Sequence, residues 1–149
     1  MLKTILLLTM FVGLSAQAPA PAPAYAEGQV WDYRTRPGEE GSLLKIQRIE
    51  PWPMPDSADR VYHISVIGVR VGGATAPLPL PHLPVSRETL DVSVTGLSRS
   101  TAAFPSPEEG IGEWRAARGG IFTIPMAAIV AVVDEALTRQ RAAVAPPVG

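Results

Sequence analysis

His63 and His82 are the side chains of this 149-residue chain that ordinarily titrate near neutrality. They stand far apart, without the H-x-x-x-H or H-E-x-x-H spacing that sets two imidazoles on one helix face for zinc. No cysteine is present. That excludes a thiolate metal site, a disulfide, a cysteine nucleophile and a lipobox-type anchor. Neither a metal nor an organic cofactor is expected. His63 lies in an apolar run on the strand face of Ser65, which makes it the candidate base of a dispersed hydrolase site. Its simpler reading is a partly buried imidazole bonded to backbone. His82 lies in a proline-rich stretch and is expected to be exposed.

Other catalytic patterns are missing. There is no G-x-S-x-G elbow and no S-x-x-K set. The acid pairs Glu39-Glu40, Glu108-Glu109 and Asp134-Glu135 are sequence neighbours, whose side chains point apart on a strand or helix. Asp56 and Asp59 lack the glycine and terminal glutamate of a calcium loop. Gly72-Gly73 and Gly119-Gly120 read as turns, not phosphate cradles. Pro81-x-x-Pro84 matches a polyproline ligand formally, but stiffens a loop more simply. One cluster has the composition of a recognition surface: Trp31, Tyr33, Arg34 and Arg36, beside Glu39 and Glu40. Its competing reading is a core tryptophan with a solvated charged turn.

The elements that position these residues form an α+β domain, with a small antiparallel sheet in the first half and helices in the second. Residues 29–35 read as a strand rich in β-formers. Pro37-Gly38 signals a turn, and residues 42–50 alternate as a second, hairpin-paired strand. Pro51-Trp52-Pro53-Met54-Pro55 ends it, since alternate prolines cannot donate to a ladder. Residues 61–71 are apolar on both faces, as in a covered strand: Tyr62, Ile64 and Val66 on one, Val61, Ile67 and Val69 on the other. Residues 72–84 are expected to be a loop. Ser86 then caps a helix, with Val85 stapled on Leu90 and with Leu90, Val94 and Leu97 on one face. Val92 and Val94 also fit a strand alternation, and the capping signals favour the helix. Residues 111–118 read as a short helix closed by Gly119-Gly120. Pro125 opens a last helix to about Arg141, with Met126, Ile129, Val130, Val133 and Leu137 as its apolar stripe.

The first 26 residues bear on location. Lys3, an uncharged apolar run over residues 5–14 and a small-residue tract ending Ala24-Tyr25-Ala26 follow the order of a secretory leader. The run is too short to span a bilayer, which takes ~20 apolar residues. Two cuts satisfy A-x-A: after Ala24, and after Ala26, which the reading prefers. The expected organisation is a leader over residues 1–26, one domain over 27–141 and a disordered tail over 142–149. A periplasmic or secreted bacterial protein follows, without a stable membrane anchor after cleavage. A mis-assigned start codon on a cytoplasmic protein is the alternative. Losing Lys3 takes the formal net charge from −1 to −2, so nucleic acid is not an expected partner.

Residues 28–40, GQVWDYRTRPGEE, followed by Leu44-Lys45-Ile46, resemble the opening of a group of small bacterial proteins with no assigned reaction. His63-Ile64-Ser65, His82-Leu83-Pro84-Val85-Ser86, Trp114 and Gly120-Ile121-Phe122-Thr123-Ile124 extend the likeness over roughly residues 28–138. It implies no activity, ligand or partner. The functional expectation is a non-catalytic binding or inhibitory module acting on a protein partner in the envelope. Trp31, Tyr33, Arg34, Arg36 and His63 are its candidate binding residues. A small hydrolase around His63 and a structural accessory of an envelope complex are the alternatives.

Overall fold

The computed structural model describes residues 18–54, 57 and 59–144. The apolar run over 5–14, Pro55 and Asp56, and residues 145–149 of the expected tail lie outside them. The element order is β1 (Val30–Tyr33), β2 (Leu43–Pro51), β3 (Arg60–Val69), β4 (Leu78–Val85), α1 (Arg87–Ser93), β5 (Val94–Ser98), α2 (Glu108–Ala116) and α3 (Met126–Val144). The strands form one antiparallel sheet in the order β4-β3-β2-β1-β5. The fold is α+β, with the sheet mainly in the first part of the chain and the helices in the second.

The β1–β2 hairpin forms where expected, with Gly38 at φ +83° at the turn and Trp31 opposite Leu44. β3 is buried on both faces over Val61–Val66. Trp31, Leu44, Ile46, Ile64, Val66 and Leu83 face the main core, closed by Leu90 of α1 and by Met126, Ile129 and Val130 of α3. Val133 and Leu137 pack on its margin, so the predicted stripe of α3 is the buried one, and the helix continues past Arg141 to Val144. The other face of the sheet carries His63 and Ser65 and is covered by α2, through buried Ile111 and Trp114. Val69 belongs to the main core, contrary to the simple alternation. Gly68, at φ +84°, interrupts the register between Val66 and Val69.

Two expectations need correction. Residues 78–85 are a strand, not a loop. β4 tolerates Pro79, Pro81 and Pro84 because it is the last strand of the sheet and needs ladder bonds on one side only. Its outer side meets Phe122, whose N–H donates to the Pro84 carbonyl at 2.9 Å. The helix begun by Ser86 also ends sooner. The cap is real, with Ser86 Oγ accepting from Thr89 N–H at 3.1 Å. After Ser93 the chain turns extended and pairs with β1, which places Val94 opposite Tyr33 and Leu97 opposite Trp31. The helix thus stops before Val94, the strand starts after Val92, and Leu97 is exposed rather than on a buried helix face.

Candidate functional site

The hairpin residues are placed first. Trp31 and Tyr33 are buried in the main core, and Tyr33 offers no exposed edge, its hydroxyl being 2.6 Å from Ser42 Oγ. Trp31 Nε1–H donates to Gln29 Oε1 at 3.2 Å. Arg34 is exposed and donates to the Val92 carbonyl at 2.8 Å. Arg36 bonds both oxygens of buried Glu39, reaches Asp134 of α3 at 2.9 Å and donates to the Arg70 carbonyl at 2.8 Å. These contacts fasten the hairpin turn to α3. His63 is on the opposite face of the sheet, so the structure does not bring it together with these four.

His63 is completely buried, yet it is not merely bonded to backbone. Its Nδ1 lies 2.8 Å from His82 Nε2, and its ring stacks near that of His82 and meets Trp114 edge-on at 4.9 Å between centroids. His82 is therefore a half-buried partner on β4, not an exposed loop residue. His63 Nε2 is 3.2 Å from Glu50 Oε1, but off-line, so this buried nitrogen lacks a well-formed hydrogen bond. Burial pushes the His63 imidazole below its ordinary range, and the pull of Glu50 only partly opposes it. Burial, aided by His63, takes His82 down to about 4. Burial disfavours ionised Glu50, but the hydrogen bond from Arg115 and the proximity of the His63 imidazole outweigh it and hold the carboxyl below its usual range. At neutral pH the arrangement is thus one carboxylate and two neutral imidazoles.

The nearby carboxylate favours one pair of tautomers. Ionised Glu50 favours the proton of His63 on Nε2, so His63 Nδ1 accepts from His82 Nε2–H, and His82 Nδ1 is left as a free base. His82 lines a hollow of about 680 Å³ with Ser106 and Gly110, while Glu50 lines a separate groove of about 470 Å³. The row Glu50–His63–His82 therefore joins two concavities beneath Trp114. It can hold or pass a proton. Among the described residues, however, neither imidazole bonds a hydroxyl. Ser65 Oγ donates instead to the Pro81 carbonyl at 2.6 Å. The geometry expected of a serine-type hydrolase is not assembled.

The groove is the more developed feature. Its walls are Trp52, Pro53 and Met54, after the end of β2, and Trp114, Arg115, Arg118 and Gly119, from α2 and its exit. The two indoles are tilted at 46° with centroids 6.0 Å apart, and Met54 is exposed. Two ion pairs clamp α2 to β2: Arg48 with Glu108 at 2.7 Å, and Arg115 with Glu50 at 2.5 Å. Trp114 is held by its own indole N–H, which donates to the Gly120 carbonyl at 2.8 Å. A Cβ on Gly119 would run into the Trp114 ring, and one on Gly110 would come within 2.5 Å of His82 Cβ. Glycine is required at both places for close approach, which is a use beyond the turn expected of Gly119-Gly120.

The left-handed residue that closes α2 is not a glycine. It is Arg118, at φ +50°. Arg118 N–H donates to the Arg115 carbonyl at 3.2 Å and Gly119 N–H to the Trp114 carbonyl at 2.9 Å, the paired bonds of a Schellman ending. Its side chain is exposed at the groove, and no acidic partner bonds it among the described residues. Compared with protein-family models, curated proteins and solved structures, the chain matches none. No helix among the described residues is long and apolar enough to cross a membrane.

Trp52, Trp114, Arg118 and His82 are not among the site residues expected from the sequence. Trp52 carries one signal. Prolines on both sides of Trp52 lack the N–H of a ladder, so the strand ends there and the indole stands at its margin, free to line a surface. Trp114 followed by a Gly-Gly pair was a second hint, because glycine permits a backbone to wrap closely round a ring.

Proposed function

We propose that the protein is an exported, non-catalytic binding module of the cell envelope. Its Trp52–Trp114 groove seats an apolar side chain of a protein partner, and Arg118 receives an adjoining carboxylate. A carboxyl-terminal residue has this combination. The observation that carries the reading is the groove itself: two indoles, Pro53 and Met54 form an apolar cleft with Arg118 at its wall. Arg115 is already matched to Glu50, which leaves Arg118 as the cation for an incoming anion. Aromatic side chains with arginine are the residues that most often dominate recognition. Export rests on the order of Lys3, apolar run and small-residue tract. Among the described residues neither imidazole bonds a hydroxyl, which favours binding over the hydrolase alternative.

N-acetylphenylalanine and its uncharged amide are suitable probes, read by the three indole resonances of the protein. Binding of the carboxylate is expected near Kd of about 1 mM, given the small contact a single residue makes. It should move the Trp52 and Trp114 signals and leave Trp31 in place. The amide should bind roughly tenfold more weakly, the usual worth of a charge-assisted hydrogen bond. Equal binding of acid and amide, or no movement of Trp52 and Trp114, contradicts the reading.

A further inference from the structure

We propose that the leader is removed after Ala24, so that Tyr25 begins the mature protein and stays in its folded domain. The inference rests on the export reading and decides between its two A-x-A cuts. Tyr25 is not spent as leader. Its ring packs edge-on against Trp31, with centroids 5.5 Å apart, and against Tyr62 at 5.8 Å. The Tyr25 hydroxyl donates to Asp91 Oδ1 at 2.8 Å, and the Arg87 guanidinium lies over the ring at 5.1 Å. Trp31 and Tyr62 are themselves almost wholly buried, and Tyr25 is part of what covers them. A cut after Ala26 would discard this ring and bare two core aromatics to water.

The residues that follow are also tied down. Ala26 N–H donates to Gln29 Oε1 at 2.9 Å, Gly28 N–H to the Ile46 carbonyl at 2.7 Å, and Glu27 Oε1 accepts from Ile49 N–H at 2.7 Å. Upstream of Tyr25 the ties are fewer. Gln29 Nε2 reaches the Ala24 carbonyl at 3.4 Å, and Arg87 donates to the Pro23 carbonyl at 2.8 Å. Losing the second leaves Arg87 with Asp91, 3.4 Å away, and with the tyrosine ring. Alanine at 22 and 24 supplies the small residues at −3 and −1. Cuts after Ala18, Ala20 or Ala22 would each put a proline first in the mature chain, which blocks cleavage. The step is hydrolysis of the Ala24–Tyr25 amide by a leader peptidase. Water gives its hydroxyl to the Ala24 carbonyl carbon and a proton to the departing Tyr25 amine.

The test is the amino-terminal sequence and intact mass of the protein recovered from a bacterium expressing the full chain. A start at Tyr25 is expected. A start at Glu27 overturns the inference and leaves export standing, whereas a chain that retains Met1 overturns the export reading and the inference with it. The Tyr25→Ala variant, prepared the same way, should melt lower by about 5 °C. Unchanged melting contradicts a retained, packed Tyr25.

Discussion

Neutral His63 and His82 make the fold sensitive to acid. Both imidazoles are pushed down by burial, His82 from 6.5 to about 4. The unfolded chain therefore binds protons between those limits that the folded chain refuses. Stability is fully present above about pH 6.5 and is lost as the pH falls toward 4. Glu39, Glu50 and Asp134, all held below their usual range, add a further loss below about 4.5 as they protonate. Melting followed from pH 7 to pH 4.5 should thus fall in the wild type, and the fall should be visibly smaller in His82→Gln. An identical slope in both would contradict the buried neutral pair. The pairing was not legible from spacing. His63 stands opposite Pro84 across the β3–β4 ladder, so His82 is its diagonal neighbour, and this emerges only once residues 78–85 are known to be a strand.

At the level of elements, α2 and its exit are the part whose local chemistry most directly shapes the groove. Gly112 and Gly119 make a controlled comparison. A Cβ on Gly112 meets nothing within 4 Å, so Gly112→Ala in this exposed helix should gain about 0.5–1 kcal/mol from the helix propensity of alanine. Gly119→Ala must displace the Trp114 ring and should cost about 1–3 kcal/mol, with a change in tryptophan emission. Thermal melting of the two variants checks both signs, and similar melting would mean that Gly119 serves only the turn. The same region shows why some elements were read well and others were not. The cap at Ser86 and the stripe of α3 are local or periodic signals, and both survive in the fold. β5 depends on a partner strand more than fifty residues away, so without it the capping signals favour a helix running on through Val94 and Leu97. β4 carries prolines that normally argue against a strand, and only its place at the sheet's end makes them acceptable.

For the whole molecule, the hairpin turn and α3 are joined through one charged group. Glu39 is buried and depends on Arg36, which also holds Asp134; Asp134 in turn accepts from Gly72 N–H at 2.8 Å. Arg36→Glu should leave Glu39 without its cation and set a like charge against Asp134, at a cost of about 3–5 kcal/mol. Chemical denaturation measures it, and a loss below about 1 kcal/mol would make the network an ordinary surface pair. The sequence offers a solvated charged turn as the alternative to a recognition surface; the turn is charged, but Glu39 in it is buried. The aromatic-arginine surface legible in composition was sought in the hairpin, and the groove that combines these residue types instead joins segments far apart in the chain.

The most direct test of the binding account is Arg118→Gly, measured for both stability and affinity beside the wild type. A left-handed residue without a Cβ relieves strain, so the variant should gain about 1 kcal/mol in stability. If Arg118 is the anion-receiving group of the groove, the same variant should bind N-acetylphenylalanine roughly tenfold more weakly, no better than wild type binds the amide. A more stable protein with lost carboxylate selectivity is the predicted result, and undiminished affinity for the carboxylate would contradict the account.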